Sequence, residues 1–324
     1  MENNVGKLIE DFKDGQISRR HLLQGIAIAS PLLAGALNAS AAKTEGPTQL
    51  KATWVNHYIY LAPDLMKTSD WYHEVFGMQI DHRTAKEAHL WYSDVGGDTC
   101  MIMRPAPAGG EVKIINFAFT IDNWDKKAVE AELKRRNLNP VSDTDKCFRF
   151  KDMEGFDIAV CAKNFMKRPT PSTEKPQVWK TLSANHIVEN SNDYGKLRDW
   201  YKDLLALNVI HDSGRDVYMM LSDTAWIPTA SRAGGKTSAE LGSLDHVAYT
   251  IADYKNDDVK VMLDKYNMKP QQDTMLSFNC RDVNNFKTQV GDKALVPEAA
   301  KRPPNPNGGR GRGAAGAPGA TGKQ

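Results

Sequence analysis

The sequence predicts an α+β protein made of four tandem βαβββ units that pair into two domains. The stretch SLDHVAYTIADYKNDDVKVMLDKYNMKPQQDT, residues 243–274, repeats KIINFAFTIDNWDKKAVEAELKRRNLNPVSDT, residues 113–144, at a constant spacing of 130. A second pair of stretches, beginning at Trp54 and at Ser183, repeats at a spacing of 129. Four similar units of about fifty residues therefore follow one another, and such a period indicates a repeated supersecondary unit.

Each unit opens with a strand-like run rich in β-branched and aromatic residues, such as 114–121 or 246–251. An amphipathic helix is predicted next, because apolar residues stand four apart among charged ones. These residues are Val129 and Leu133 in one unit and Val259 and Leu263 in another. Asn and Pro then end the helix. Three short strands follow, with turns such as KDMEGFDIAV and RDVNNFKTQV between the last two.

Composition excludes several classes of protein. The 324 residues carry a net charge of only +2, which argues against a nucleic-acid partner. Four cysteines are too few for a disulfide scaffold and too far apart for a zinc ribbon. Beyond the N-terminus no run of 18 apolar residues occurs, so the body of the chain is not expected to stay inserted in a membrane.

The N-terminus resembles a twin-arginine export signal. Arg19 and Arg20 precede a moderately apolar run, and Ala39, Ser40 and Ala41 form a small-residue cleavage pattern. We therefore expect a signal peptide over residues 1–42 and an exported, periplasmic or extracytoplasmic protein. An uncleaved membrane anchor is the alternative.

The remaining boundaries follow from composition and from the repeat. An N-terminal domain is predicted over residues 52–163 and a C-terminal domain over 181–294, with a proline-containing linker over 164–180. Residues 303–324 are rich in Gly and Arg and lack large apolar side chains, so a disordered tail is predicted there.

Four βαβββ units with "NH", "DHVAYTI" and "F.KD..GFD" signatures resemble the vicinal oxygen chelate superfamily, over residues 54 to about 293. That superfamily includes glyoxalase I, extradiol dioxygenases and bleomycin-resistance proteins. The resemblance implies that two units close a sheet around one site, giving two glyoxalase-like domains. It also implies a divalent metal, held by side chains such as His, His and Glu from first and last strands. Fe(II), Mn, Zn or Ni suits such ligands, and open positions would let a small oxygen-rich molecule chelate the metal.

Carried over by position, the C-terminal domain offers His186, His246 and Gln289 as metal ligands. The corresponding N-terminal residues are His57, Asn116 and Ala159, a poor set because alanine has no ligand atom. His57 is therefore interpreted as a core residue. Gln289 replaces the expected carboxylate and brings no charge to the metal, so weak metal binding is expected.

His211 is the only histidine between His186 and His246, and it is the candidate acid–base residue. A turn position in solvent is the alternative for it. Two functions remain open: a metal-dependent enzyme of the dioxygenase or glyoxalase type, and a non-catalytic protein that binds or sequesters a small molecule. Trp71 and Trp200 recur in both halves and are interpreted as helix packing residues, not as substrate contacts.

Cys147 and Cys161 lie seven residues on either side of Glu154, at the centre of a predicted turn. An antiparallel hairpin with this register would place them opposite each other, within reach of a disulfide. An oxidising compartment would favour the bond. Two separate buried thiols are the alternative.

Overall fold

A computed structural model of the chain describes residues 50–92, 99–170, 178–191, 193–212, 216–221, 225–233 and 244–301. The predicted leader, the predicted tail and residues 171–177 of the predicted linker lie outside the described residues. The domain boundaries therefore stay predictions.

The first half of the described chain contains two βαβββ units. The first unit has β1 (Ala52–Ala62), α1 (Leu65–Phe76), β2 (Gln79–Arg83), β3 (Ala88–Trp91) and β4 (Cys100–Pro105). The second has β5 (Lys113–Ile121), α2 (Lys126–Arg135), β6 (Val141–Thr144), β7 (Cys147–Lys151) and β8 (Asp157–Ala162).

The second half repeats this order and adds a short helix. Its first unit has β9 (Thr181–Ser191), α3 (Tyr194–Leu205), β10 (Asn208–Asp212), β11 (Asp216–Leu221) and β12 (Ala225–Ala233). Its second unit has β13 (Leu244–Ile251), α4 (Asn256–Lys265), β14 (Gln271–Thr274), β15 (Ser277–Arg281) and β16 (Lys287–Gly291). Helix α5 (Leu295–Ala300) follows.

Each pair of units forms one eight-stranded sheet. The first sheet has the order β2-β3-β4-β1-β5-β8-β7-β6, and the second has β10-β11-β12-β9-β13-β16-β15-β14. The first strands of the two paired units lie side by side and antiparallel, β1 against β5 and β9 against β13. The predicted α+β fold of four βαβββ units in two pairs is confirmed.

Capping residues determine where the helices begin and end. Asp64, Asp125 and Asp193 cap α1, α2 and α3 by accepting a hydrogen bond from a backbone N–H three residues on. Asn137 and Asn267, just beyond α2 and α4, adopt left-handed backbone angles with φ of 58° and 55°. Asn tolerates this conformation better than most residues, so it reverses the chain there.

The two sheets share one hydrophobic core. Tyr249 of the second sheet lies 4.8 Å, between ring centroids, from Phe76 of α1. Tyr201 of α3 lies 6.0 Å, between ring centroids, from Phe119 of the first sheet. Trp71 and Trp200 pack partly buried against this core, as helix packing predicts. Within the described chain, no helix has the length and apolar character needed to cross a membrane.

Candidate metal centre

Two buried histidines meet on adjacent strands of the second sheet. His186 lies on β9 and His246 on β13, with 4% and 3% of their surfaces exposed. Their Nε2 atoms are 3.3 Å apart. The pairing of β9 with β13 places His186 opposite Ala248, two residues from His246, so both imidazoles leave the sheet on the same face. We call this the site face.

The residue before each histidine holds its other ring nitrogen. Asn185 Oδ1 lies 2.9 Å from the Nδ1 of His186, and Asp245 Oδ2 lies 2.8 Å from the Nδ1 of His246. The amide of Asn185 donates through its nitrogen to Thr250 Oγ1, which leaves its oxygen to accept. Since both oxygens only accept, both Nδ1 atoms carry the proton.

This tautomer determines what can lie between the rings. With both protons on Nδ1, the two Nε2 lone pairs face each other across 3.3 Å. A cation relieves that repulsion, either a shared proton or a metal ion. Metal-binding histidines in proteins commonly donate their second nitrogen to a carboxylate or carbonyl oxygen in this way.

Gln289 supplies a third donor atom on the same face. Ala248 pairs with His186 on one side and with Gln289 of β16 on the other, so the three residues share the site face. The Nε2 of Gln289 donates to Asp273 Oδ2 at 3.1 Å. Its Oε1 is buried and has no hydrogen-bond partner. A buried oxygen without a partner is unfavourable by about 1–3 kcal/mol, and a bound cation would satisfy it.

Two imidazole nitrogens and an amide oxygen fit a divalent transition metal by chemistry. All three ligand groups are uncharged in this tautomer. The described residues contain no cluster of three His, Cys, Asp or Glu side chains arranged to hold a metal ion. Any metal here would therefore be held by a neutral set of ligands, with Asp245 and Asp273 contributing charge from behind the ligands.

The first sheet carries a different arrangement at the matching positions. His57 also has its Nδ1 held by the preceding residue, Asn56, but its ring stacks on Phe165 with centroids 5.3 Å apart. The amide of Asn116 is turned to the carbonyl of Asp157, and Ala159 has no donor atom. Burial, followed by the charges of Arg104 and His89, lowers the pKa of His57 to about 3. The imidazole is therefore neutral and packed against an aromatic ring.

His211 is separated from the histidine pair by the ring of Tyr218. It is half-buried on β10, and its ring centroid is 5.7 Å from that of Tyr218, which it faces across the β10–β11 pairing. The ring centroid of Tyr218 in turn lies 6.2 Å from that of His186. The structure thus brings His211 to the edge of the site through Tyr218.

Sequence reasoning missed four residues of this arrangement: Asn185, Tyr218, Asp245 and Asp273. For two of them a signal was present, since each stands directly before a candidate ligand in the "NH" and "DH" dipeptides. Tyr218 and Asp273 depend on strand register, which the repeat spacing alone does not give.

Cys147 and Cys161 lie opposite each other on β7 and β8, as the turn register predicts. Their Sγ atoms are 2.8 Å apart, and both cysteines are buried, free thiols in this structure. Burial raises the pKa of Cys161 well above its ordinary value, so this thiol stays protonated. The disulfide remains a prediction for an oxidising compartment.

Comparison with known proteins agrees with this architecture. Residues 54–158 match the family model of the glyoxalase/bleomycin resistance protein/dioxygenase superfamily. No curated protein sequence matches the chain significantly. A mutant of homoprotocatechuate 2,3-dioxygenase from Brevibacterium fuscum is similar in structure, with a TM-score of 0.61 and 14% identity, over 77% of this chain and 73% of that one.

The 2,3-dioxygenase LapB from Pseudomonas sp. KL28 is also similar, with a TM-score of 0.59 and 14% identity, over 76% of this chain and 93% of that one. A third similar structure is the homoprotocatechuate 2,3-dioxygenase complex with 3,4-dihydroxyphenylacetate, with a TM-score of 0.57 and 14% identity, over 76% and 82% of the two chains. Residues 54–158 are thus similar to the glyoxalase/bleomycin resistance/dioxygenase superfamily, and the described chain has the fold of these dioxygenases.

Proposed function

We propose that this protein is a metal-dependent enzyme of the vicinal oxygen chelate type, dioxygenase-like, acting on a small oxygen-rich molecule. His186, His246 and Gln289 are the proposed ligands of one divalent metal. The observation that carries the proposal is the buried histidine pair, whose Nε2 atoms face each other at 3.3 Å while both Nδ1 atoms are held by oxygens.

The chain's own residues prepare this site for a cation and for a substrate. Asn185 and Asp245 bind the Nδ1 atoms, which keeps both Nε2 lone pairs directed into the site. Asp273 accepts from the Nε2 of Gln289, so the Oε1 of Gln289 points away from Asp273. When bound, the metal would act as a Lewis acid for adjacent oxygens of the substrate. The structurally similar dioxygenases, one of them in complex with 3,4-dihydroxyphenylacetate, support a substrate of this kind.

His211 is the proposed acid–base group. Imidazole is the side chain that most often serves in general acid–base catalysis, and the ring of Tyr218 lies between the rings of His211 and His186. Replacing His211 with Gln is expected to change the pH profile of turnover and to leave metal content unchanged. A loss of metal in that variant would assign His211 to the metal site instead.

Metal titration of purified, chelator-treated protein tests the proposal. The parent should bind one equivalent of Fe(II), Mn or Zn, with modest affinity because the three ligands are neutral. His186→Ala and His246→Ala should each abolish binding. His57→Ala is the matched control from the first sheet and should bind like the parent. Equal binding in all four proteins, or loss of binding in His57→Ala alone, would contradict the assignment.

A non-catalytic binding protein is the second candidate, favoured by one observation. Gln289 stands where the resemblance implies a carboxylate, which weakens any metal site. This function is supported if the parent binds no metal when prepared without chelator, yet binds a small aromatic molecule in a manner that His186→Ala leaves intact.

We further propose that the protein is exported through a twin-arginine leader, on the basis of Arg19, Arg20 and the small residues near Ala41. Replacing both arginines with lysine should keep the precursor in the cytoplasm. Cell fractionation with an antibody against the chain measures this. Equal export of the double variant and the parent would contradict the leader assignment.

A further inference from the structure

Two cations oppose each other in the second sheet at a position where the first sheet has an ion pair. Arg281 of β15 pairs in register with Lys287 of β16. The matching residues of the first sheet are Lys151 and Asp157, whose charged groups lie 2.7 Å apart. Like charges directly opposite each other destabilise a sheet. Arg281 therefore faces a second cation, whereas its counterpart Lys151 faces a carboxylate.

These two cations line a cavity of about 330 Å³ together with a third. We call it the basic cavity, and its charged and amide side chains are Lys269, Gln271, Asn279, Arg281, Asn285 and Lys287. Lys287 pairs with Asp245. Among the described residues, no carboxylate lies within ion-pair distance of Lys269 or Arg281, so the cavity carries uncompensated positive charge.

The basic cavity opens on the site face. Gln271 pairs with Asn279, Asn279 pairs with Gln289, and Arg281 pairs with Lys287. Paired residues, and residues two apart on one strand, point to the same side of a sheet. Lys287 is therefore roughly 7 Å along β16 from the proposed ligand Gln289.

Asn285 holds two of the cations in place. Its Oδ1 accepts from Lys269 Nζ at 3.1 Å, and its carbonyl accepts from Arg281 at 3.3 Å. Asn285 has a φ of 63°, which lets its backbone and side chain serve both groups at the turn before β16. Asn285 thus brings the two positive groups to the same turn.

We propose that the basic cavity binds the carboxylate or phosphate group of a small molecule. Arg281 offers a planar fork of donors to such an oxyanion, and Lys269 adds a second positive charge. The further step, that the same molecule reaches the histidine pair with its other end, rests on the proposed function. Together these sites select a substrate that is oxygen-rich at one end and anionic at the other.

Anion binding to the metal-free protein tests the cavity by itself. Inorganic phosphate and benzoate are titrated separately by calorimetry at low ionic strength. The parent should bind at least one of them saturably, and the one bound more tightly identifies the class of oxyanion. Arg281→Gln and Lys269→Gln should each weaken binding by about tenfold, while Arg281→Lys should keep part of it.

Lys151→Gln, at the matching position of the first sheet, is the control and should bind within about twofold of the parent. Thermal unfolding of every variant checks that each is folded. The proposal is overturned if neither anion binds saturably, or if Arg281→Gln binds as well as Lys151→Gln. His186→Ala separates the two proposals, since it should lose metal and still bind the anion. Loss of anion binding in folded His186→Ala would place the anion at the histidines and overturn the cavity.

Discussion

At Gln289 the chain places an amide where the resemblance implies a carboxylate, and Asp273 explains how that amide is held. The Nε2 of Gln289 donates to Asp273 Oδ2, so only the oxygen of the amide is left for a metal. The negative charge therefore lies on Asp273, the hydrogen-bond partner of Gln289, and not on residue 289 itself. Such an arrangement retains some electrostatic attraction for a metal and weakens it with distance.

Gln289→Glu should therefore have two opposite effects. In the metal-free protein the new carboxylate faces Asp273 at about hydrogen-bond distance, and stability should fall by roughly 1–3 kcal/mol. A bound metal offsets this repulsion, so the metal affinity of Gln289→Glu should be about tenfold higher than that of the parent. The double variant Asp273→Asn with Gln289→Glu should bind metal at least as tightly as the parent. Denaturant unfolding and metal titration measure both effects. Unchanged metal affinity in both variants would mean that residue 289 is not a ligand.

At this scale the sequence predicts identities better than orientations. Repeat spacing placed His186, His246 and Gln289 at matching positions, and the structure brings all three to one face. The repeat spacing did not predict the direction of each ring or amide, because that direction depends on local partners such as Asp245 and Asp273. Nor did it predict Tyr218, because its approach to His186 depends on the pairing of β10 with β11.

At the scale of elements, the segment after β8 distinguishes the two sheets. Phe165 stacks on the ring of His57 and packs against a buried cluster that includes Cys147 and Ala159. Met166 packs beside it, on a cluster that includes Trp91 of β3. These side chains cover the face of the first sheet that corresponds to the site face. This accounts for a histidine that is kept at position 57 as a packing residue.

Phe165→Ala tests this interpretation. Removing a half-buried aromatic ring should lower the free energy of unfolding by about 2–3 kcal/mol, less than for a fully buried Phe. It should create no second metal site, because Ala159 still has no donor and Asn116 stays turned to the Asp157 carbonyl. Denaturant unfolding gives the first quantity, and metal stoichiometry gives the second. Two equivalents of metal in the variant would show that Phe165 blocks a competent site.

The order of elements was predictable because period and composition carry it. Val129, Leu133, Val259 and Leu263 are all buried, as the helical spacing predicts. Helix α5 was not predicted, since six residues that include Pro297 show no helical period. It nevertheless positions Leu295 against Gly291, where a β-carbon would come within 2.9 Å of the leucine side chain. Such contacts arise only once β16 is in place.

At the scale of the whole molecule, the two sheets are joined by two related polar clusters. In one, Tyr60 and Tyr72 donate to Asp282 of the second half, at 2.5 and 2.8 Å. In the other, the Tyr201 hydroxyl lies 3.0 Å from Glu189 and 3.2 Å from Asp152 of the first half. Glu189 occupies the position that corresponds to Tyr60. One cluster therefore holds a single buried carboxyl, and the other holds two in contact.

Two buried carboxyl groups in contact are stable only if they share a proton. Burial, followed by the charge of Asp152, raises the pKa of Glu189 well above its ordinary range, and burial also raises that of Asp152. A raised pKa in the folded state means that the stability contributed by the protonated pair is complete below the unfolded pKa. This contribution is lost as pH rises from about 4.5 towards the folded pKa.

Glu189→Gln should flatten this dependence, because an amide can donate to Asp152 at any pH. We expect the parent to lose stability from pH 5 to pH 8, and the variant to lose less, exceeding the parent at pH 8 by on the order of 1 kcal/mol. Denaturant unfolding across this range measures both slopes. Glu298→Gln, which removes an exposed carboxylate from α5, should keep the parent's slope. Parallel curves for the parent and Glu189→Gln would show that Glu189 is already ionised in the folded protein, and that Tyr201 alone holds the two carboxylates together.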